Sequence, residues 1–346
     1  MKKKEQVQEP TVEIQPIEYE TQAIEETANV LFKPNPGPQT DFLAAAEREV
    51  LYGGSAGGGK SYAMLSDPLR YMGHPAFSGL LLRHTTEELR ELVFKSQELY
   101  PKIWPGIKWS ERKMQWTAPS GARLWMSYLD RDDDVLRYQG LAFSWIGFDE
   151  LTQWSTPYAW NYMRSRLRST AADLPIYMRA TTNPGGRGHH WVKKMFIDPA
   201  PYNRAYDATD IETGEVLRYP AGHAKAGRPL YKRRFIPARL SDNPYLAESG
   251  DYEAMLLSMP EQQRRQLLDG DWDIKEGAAF TEFDRNIHVI EPFDIPSNWV
   301  KFRACDYGYG SKSGVVWFAV APNEQLVVYR ELYVSKVLAT DLADMI

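Results

Sequence analysis

The chain has 346 residues, a net charge of −5 and 43% hydrophobic residues, a composition typical of a globular protein of roughly two to three domains. It excludes a collagen-like chain or a low-complexity assembly, and the acidic net charge on its own disfavours a nucleic-acid partner. The single cysteine, Cys305, excludes an internal disulfide and a cysteine-based zinc site. The sequence contains no apolar run of about 18 residues and no signal-peptide pattern at its start, so we expect no membrane association.

The first part of the chain is acidic and is followed by alternating strands and helices. Residues 1–28 carry three lysines and seven glutamates, which predicts a mobile tail, and the proline-rich residues 33–38 predict an extended linker. From residue 39, apolar strands alternate with helical segments, which predicts an α/β fold with a mainly parallel sheet and helices on both faces. The predicted strands are residues 49–54, 79–84, 122–129, 143–150 and 175–184, and the predicted helices are residues 60–72 and 85–104.

The pattern changes after about residue 200. Residues 244–272 predict two short helices. Three strands then follow one another without intervening helices, which is typical of a meander, before a helix begins at residue 339. These three predicted strands are residues 300–308, 314–322 and 325–334.

A phosphate-binding loop is the clearest motif of the chain. Residues 54–61 read Gly-Ser-Ala-Gly-Gly-Gly-Lys-Ser and match G-x-x-x-x-G-K-[ST] between a predicted strand and a predicted helix. Its glycines let backbone N–H groups converge on phosphate oxygens at a helix N-terminus, where Lys60 would reach the β- and γ-phosphates of ATP and Ser61 would bind Mg²⁺. The alternative is a glycine-rich turn that matches by chance. The predicted nucleotide-binding residues of the loop are Gly54, Gly57, Gly59, Lys60 and Ser61.

Two acids end the strand predicted at residues 143–150. A phosphate-binding loop needs a carboxylate from a neighbouring strand on the Mg²⁺ side, and Asp149 would hold the metal through water. Glu150 would orient and activate the attacking water, which favours hydrolysis over transfer to a small molecule. Both acids can face the site where the chain bends at a strand end. The alternative is a strand that ends in solvated acids.

Four further residues are candidates for the same site. Thr182 and Asn183, in a Thr-Thr-Asn-Pro sequence at the end of the next strand, could sense the γ-phosphate, or they could form a polar turn. Arg137 precedes Glu150 by 13 residues and could serve as an arginine finger in cis or from a neighbouring subunit, or could be an ordinary surface arginine. Gln39 could read adenine through its amide.

A second site is predicted near the C-terminal end. Asp306 lies in an otherwise apolar strand, where a buried carboxylate needs a partner. Two-metal nucleases place carboxylates on such strands to bind Mg²⁺ or Mn²⁺, and the alternative for Asp306 is a turn-forming role. Basic clusters at residues 164–168 and 232–234 could follow DNA phosphates, or could form solvated surface.

Together these motifs resemble the large terminase subunit of tailed bacteriophages, over most of the chain from Gln39 onwards. The most specific stretch is residues 239–272, from Arg-Leu-Ser-Asp-Asn-Pro-Tyr-Leu to Leu-Leu-Asp-Gly-Asp-Trp, which resembles the lid of these ATPases. Asp306 aligns with the first metal-binding acid of the terminase nuclease, which has an RNase H-like fold. The implied domains are a disordered tail (1–35), a P-loop ATPase (36–235), a lid subdomain with linker (236–295) and the first part of the nuclease (296–346).

The resemblance implies a motor that uses ATP and Mg²⁺ to translocate double-stranded viral DNA into the procapsid. It also implies a ring of subunits, a pentamer, on the portal protein, a small terminase subunit that selects the DNA, and a nuclease that uses Mg²⁺ or Mn²⁺. The expected location is the host cytoplasm and, transiently, the portal vertex, not the mature virion. The alternatives are a non-viral helicase- or repair-type ATPase, and a truncated subunit that binds nucleotide and DNA without turnover.

The chain departs from the family pattern in two ways. Its phosphate-binding loop lacks the arginine that many members carry, and Arg83, at the end of the second predicted strand, is a candidate substitute. The sequence also ends before the later nuclease acids, so we expect that this chain forms no complete two-metal site and that its nuclease is inactive.

Overall fold

The structure is a computed structural model that describes residues 32–274, 288–309 and 312–346. The chain divides into two compact units, Met1–Gly277 and Ala278–Ile346. The predicted tail lies outside the described residues except for its last four positions. One of these, Asn35, is buried and donates its backbone N–H to Gln39 Oε1 at 2.6 Å, so the ordered part begins before the predicted boundary.

The described part of the first unit is organised around a nine-stranded sheet. Its strands are β1 (Glu49–Gly54), β2 (Ser78–Arg83), β3 (Lys108–Ser110), β4 (Gln115–Thr117), β5 (Arg123–Tyr128), β6 (Trp145–Asp149), β7 (Tyr177–Thr182), β8 (Tyr206–Asp207) and β9 (Lys232–Ala238). Their spatial order is β3-β4-β5-β2-β6-β7-β1-β9-β8. The strands from β5 to β9 in this order run parallel, and antiparallel strands close both edges. This confirms the predicted mainly parallel sheet.

Buried side chains cover both faces of the sheet. In β1, Val50 and Tyr52 belong to one buried cluster and Leu51 to another, because successive side chains of a strand point to opposite faces. Full burial of such an apolar side chain contributes about 1.5–3 kcal/mol, so each face needs its own covering layer. The predicted two-sided α/β architecture is confirmed.

The α-helices of the first unit follow the sequence pattern to different extents, most closely at Thr86–Ile103, which begins with a capping box. They are α1 (Pro38–Ala44), α2 (Lys60–Ser66), α3 (Thr86–Ile103), α4 (Tyr158–Arg164), α5 (His189–Val192), α6 (Pro244–Ala247), α7 (Asp251–Leu257) and α8 (Glu261–Leu267). Thr85 caps α3 and exchanges two 3.3 Å hydrogen bonds with Glu88, a capping box that stabilises this helix start. None of the helices within the described ranges combines the length and the apolar character needed to cross a membrane.

Helix α2 is shorter than predicted. It ends at Ser66, and the chain continues as a 3₁₀ helix over Asp67–Tyr71. The buried Asp67 accepts a 2.8 Å hydrogen bond from Trp145 Nε1, and Pro68 has no N–H to continue the α-helical pattern. A tertiary contact and a proline therefore end the helix, although its hydrophobic pattern continues.

The prediction missed four strands, β3, β4, β8 and β9, of which the first three form antiparallel edges and the last carries charge. Strands β3 and β4 are three residues each, too short for a visible alternation. Strand β9 begins with Lys-Arg-Arg, and this charged sequence does not indicate a strand that pairs with β1. The predicted boundary between ATPase and lid, after residue 235, falls inside β9.

A buried ion-pair cluster explains the charged start of β9. Arg233 lies opposite Glu49 in the register of the two strands, and Arg233 Nε is 2.7 Å from Glu49 Oε2. Arg164 pairs with the other Glu49 oxygen. Burial raises the pKa of the Glu49 carboxyl, but the charges of Arg233 and Arg164 lower it below its ordinary value. Arg164 and Arg233 therefore pair with a buried carboxylate inside the fold. Both belong to the basic clusters that were expected to follow DNA phosphates.

The second unit contains the predicted meander. Strands β10 (Val300–Asp306), β11 (Lys312–Val320) and β12 (Leu326–Ser335) form an antiparallel sheet in that order, followed by α9 (Ala339–Met345). Val315, Trp317 and Leu342 form its small buried cluster. Asp306 ends β10 and is exposed, so the expected burial of this carboxylate, which was the reason to expect a metal partner, is wrong.

Candidate nucleotide-binding site

The phosphate-binding loop, the two acids and the Thr-Thr-Asn sequence lie at the carboxyl ends of neighbouring parallel strands. β7 lies between β1, which leads into the phosphate-binding loop, and β6, which carries the acids. β2 flanks β6 on the other side. In open α/β sheets the crevice outside these strand ends is the usual ligand-binding position. The topology therefore gathers residues that are about 120 positions apart in the sequence.

Two glycines of the phosphate-binding loop lie too close to neighbouring atoms to carry a side chain. A Cβ on Gly54, which has φ +142°, would lie 2.2 Å from the Ala238 carbonyl oxygen. A Cβ on Gly59, which has φ +76°, would lie 2.8 Å from Gln39 Nε2. Only glycine fits these positions without displacing neighbours, and the loop ends at the N-terminus of α2, the end of a helix that favours anions.

Lys60 begins α2 and folds back over the loop. It is buried, and its Nζ donates a 2.5 Å hydrogen bond to the Ser55 carbonyl. Burial lowers the pKa of the Lys60 ammonium, and the charges of Glu150 and Asp149 oppose this effect. The ammonium thus lies within electrostatic range of both acids, as a phosphate-binding lysine must. Ser61 follows at the next position of the helix.

The chain bends between the two acids at the end of β6. Asp149 is buried and accepts a hydrogen bond from the Thr181 hydroxyl. Glu150 adopts the left-handed conformation with φ +59°, which costs about 1–3 kcal/mol for a non-glycine residue and is typical of functional sites. This bend places both carboxylates at the same edge, as predicted.

The environment of Glu150 raises the pKa of its carboxyl group. Burial and the Asp149 charge raise the pKa of Glu150, while Lys60 and Arg83 act in the opposite direction. A carboxylate with a raised pKa is a stronger base, so this position is chemically suited to take a proton from water.

Each residue of the Thr-Thr-Asn sequence contacts the acidic strand end or the turn after it. Thr182 Oγ1 is 2.7 Å from Thr152 Oγ1, and the Asn183 backbone N–H donates to Glu150 Oε2 at 3.3 Å. The structure therefore brings Thr182 and Asn183 to the site. Sequence analysis missed Thr181, whose hydroxyl binds Asp149, because its role depends on the register between β6 and β7.

Gln39 fastens α1 to the phosphate-binding loop. Its Nε2 donates to the Gly59 carbonyl at 2.9 Å, and its Oε1 accepts from the Asn35 N–H. The amide is buried, so these bonds fix its orientation at the edge of the loop. The structure thus places Gln39 at the site but shows no preference for a base.

Arg137 is not brought together with Glu150. Its guanidinium is 46% exposed, lies 3.0 Å from Asp134 Oδ1 and donates to the Tyr128 carbonyl at 3.2 Å. These partners belong to the segment that contains Arg137 itself. An exposed arginine held in this way is available to a neighbouring molecule, so its finger role stays a prediction.

The segment 239–272, called the lid segment below, wraps around the phosphate-binding loop. Asn243 Nδ2 donates to the Gly57 carbonyl at 2.6 Å, and the Ala56 N–H donates to the Leu267 carbonyl at 2.7 Å. The lid segment thus holds two backbone positions of the loop. Sequence analysis identified this segment but not its contacts.

The lid segment also contacts the loop after β7. Gln266 Nε2 donates to the Pro184 carbonyl at 2.7 Å. The His189 ring stacks on Trp272 with centroids 5.3 Å apart, and His189 Nδ1 accepts from the Gly185 N–H at 2.8 Å. The Thr-Thr-Asn-Pro sequence is therefore joined to the acids on one side and to the lid segment on the other.

The carboxylates do not form a preformed metal cage. Among the described residues, no group of three or more histidine, cysteine or acidic side chains could hold a metal ion, at Asp306 or elsewhere. The donor set that fits Mg²⁺ is the Ser61 hydroxyl with Asp149, whose Oδ2 is buried without a hydrogen-bond partner. Mg²⁺ commonly binds through one or two protein ligands, waters and substrate phosphates, so this set fits the ion.

Residues 51–287 match the family model for the N-terminal part of T4likevirus-type terminase large subunits. The chain belongs to this terminase family. No curated protein matches the sequence.

Two solved terminases are similar to this chain at low sequence identity. The ADP complex of the large terminase from a thermophilic bacteriophage is 16% identical, with a TM-score of 0.50 over 87% of this chain and 68% of that chain. The ATPase domain of a Thermus phage large terminase is 14% identical, with a TM-score of 0.44 over 70% of this chain and 94% of that chain. The first of these supports the terminase ATPase fold.

Proposed function

We propose that this terminase chain is the ATP-driven motor that translocates double-stranded DNA during packaging. The observation that carries the proposal is the convergence of the phosphate-binding loop, Asp149-Glu150 and the Thr-Thr-Asn end of β7 at one sheet edge. The similar thermophilic-phage terminase was solved with ADP, which supports a nucleotide as the ligand of this edge.

The residues at this edge have distinct proposed roles. The loop N–H groups and Lys60 bind the phosphates, and Ser61 and Asp149 hold Mg²⁺. The bound Mg²⁺ supplies positive charge to the phosphate oxygens. Glu150, with its raised pKa, orients a water molecule and accepts its proton.

The supporting residues connect this chemistry to the rest of the motor. Thr182 and Asn183 respond to the γ-phosphate, because they contact the acidic end of β6 and its turn. Gln39 shapes the adenine side of the loop. Arg137, exposed and outside the site of its own chain, completes the site of a neighbouring subunit.

The proposed partners and assembly of this chain are those that the terminase family implies. The proposed partners are double-stranded DNA, the portal protein, a small terminase subunit and further copies in a pentameric ring, in the host cytoplasm and at the portal vertex. We propose that residues 36–238, up to the end of β9, form the ATPase and that residues 239–295 form the lid and linker. The strands from residue 296 would begin an RNase H-like nuclease in which Asp306 is the first metal-binding acid.

The test is ATP turnover by the full chain, with and without linear duplex DNA, compared with Glu150→Gln. We expect turnover that duplex DNA stimulates, and a loss of about 10²–10⁴-fold in Glu150→Gln, the usual contribution of a general base. Glu98→Gln, a change at an exposed acid on α3, is the matched control.

Three outcomes would contradict the proposal in different ways. Turnover that persists in Glu150→Gln would reject the role of Glu150. A folded wild-type chain without turnover would favour the binding subunit that lacks catalysis. Stimulation by single-stranded DNA alone would favour a helicase- or repair-type ATPase.

A further inference from the structure

Arg83 lies at the edge of the site with donor groups that are not used. It ends β2, and its side chain is only 12% exposed. Its Nε is 3.4 Å from Asp149 Oδ2, outside good hydrogen-bonding distance. Within the described residues, Nε and Nη1 of Arg83 and Oδ2 of Asp149 are all buried and have no hydrogen-bond partner. Such groups are rare in native proteins and call for an explanation, such as a missing ligand.

The chemistry of the position points to a phosphate group. A guanidinium presents several donors in a rigid plane that matches phosphate oxygens. In the proposed site Lys60 meets the phosphates from the side of the loop, where its ammonium also donates to the Ser55 carbonyl. The phosphate-binding loop itself carries no arginine. The site therefore holds one lysine and one buried arginine with free donors.

The topology indicates which phosphate Arg83 would meet. The sheet order is β2-β6-β7-β1, so Arg83 and the phosphate-binding loop lie on opposite sides of the acids. A nucleotide whose phosphates begin in the loop would direct its terminal phosphate toward Asp149 and Glu150, and hence toward Arg83. A diphosphate lacks this terminal group.

We propose that Arg83 donates to the terminal phosphate of a nucleoside triphosphate bound to the same chain, and so makes the site prefer triphosphate to diphosphate. This inference rests on the proposed nucleotide site. In this inference, the arginine that contacts the terminal phosphate within one subunit is Arg83 on β2. Arg137 then remains the candidate for contact with the nucleotide of a neighbouring subunit. The competing explanation is that Arg83 only positions Asp149, in which case its loss would weaken diphosphate and triphosphate binding alike through Mg²⁺.

The experiment measures dissociation constants of ADP and ATP-γ-S by calorimetry, with Mg²⁺ and with EDTA, for the full chain. The variants are Arg83→Gln and Arg83→Lys, and Arg90→Lys, a change at an exposed arginine on α3, is the control. For Arg83→Gln we expect ATP-γ-S affinity to fall about 10- to 100-fold, the range for hydrogen bonds to charged groups. We expect ADP affinity to change less than about threefold, because no contact to ADP is lost. For Arg83→Lys, which keeps the charge and protects against misfolding, we expect a smaller loss that is again confined to ATP-γ-S.

The selective loss must persist in EDTA, because the proposed contact does not pass through the metal. Equal losses for both nucleotides, or losses only with Mg²⁺, would overturn the inference in favour of the positioning role. Unchanged ATP-γ-S affinity in both variants would overturn it as well. A wild-type chain that binds neither nucleotide would reject the proposed function, and the inference with it.

Discussion

Replacing Arg233 by methionine tests whether the interior of the ATPase depends on a buried ion pair. Glu49 and Arg233 are 0% and 1% exposed, and their paired atoms are 2.7 Å apart. Breaking a buried pair by removing one partner costs about 3–5 kcal/mol, because the remaining charge is left uncompensated. Arg164 still pairs with Glu49 but its side chain is 23% exposed, so we expect a loss of about 3 kcal/mol, the lower end of this range.

The matched control is Lys232→Met, one position earlier in β9. Lys232 pairs with Asp207 at 3.0 Å, but the two side chains are 59% and 36% exposed, so we expect a loss of at most about 1 kcal/mol. In the double variant Glu49→Gln/Arg233→Met, the buried charge disappears with its partner. We expect this variant to lose less than the sum of the two single changes.

The assay is urea unfolding followed by tryptophan fluorescence, at pH 7 and at acidic pH. Because the folded-state pKa of Glu49 is lowered, its stabilising contribution is complete above its ordinary pKa of about 4.5. The contribution is lost as the pH falls below that value, so the stability gap between wild type and Glu49→Gln should shrink there. An Arg233→Met variant no less stable than Lys232→Met at pH 7 would refute the reasoning.

Three other predictions concern the nucleotide site. Gly54→Ala should nearly abolish ATP-γ-S binding in calorimetry, because the new Cβ would clash with the Ala238 carbonyl at 2.2 Å; a chain that binds normally would show that the loop can shift. Gln39→Ala should weaken ADP and ATP-γ-S binding to a similar extent, about tenfold, since the 2.9 Å bond that fixes Gly59 is lost; unaltered affinities would contradict this. The acidic limb of the pH–rate profile should lie above the pKa of a free glutamate, because the pKa of Glu150 is raised; a limb at or below 4.5 would count against Glu150 as the base.

The parts of the site that the sequence predicted are local in the chain. The loop before Lys60 lies between a strand and a helix, as predicted. Asp149 ends an apolar strand and Glu150 follows it directly, so these features need no knowledge of distant contacts. The same holds for the meander of the second unit, because each of its strands pairs with the next one in sequence.

The parts that were missed depend on residues far apart in the sequence. Arg233 belongs to the sheet interior because Glu49, 184 positions away, neutralises it. The bond between Asn243 and Gly57 spans 186 positions, and no pattern within the lid segment indicates which loop atom it meets. The exposure of Asp306 likewise depends on packing, not on the apolar character of β10. Ion pairs and loop contacts between distant parts of the chain therefore determine these features, and local sequence patterns do not predict them.

The hydrogen bond from Lys60 to the Ser55 carbonyl fixes the lysine over the phosphate-binding loop. An ammonium has three N–H donors, so one can serve the carbonyl while the others remain for phosphate oxygens. Because this buried side chain is already ordered in the folded protein, a phosphate that binds there costs less side-chain entropy than one that must order a freely moving lysine. The bond to Ser55 therefore preorganises the loop for an anionic ligand.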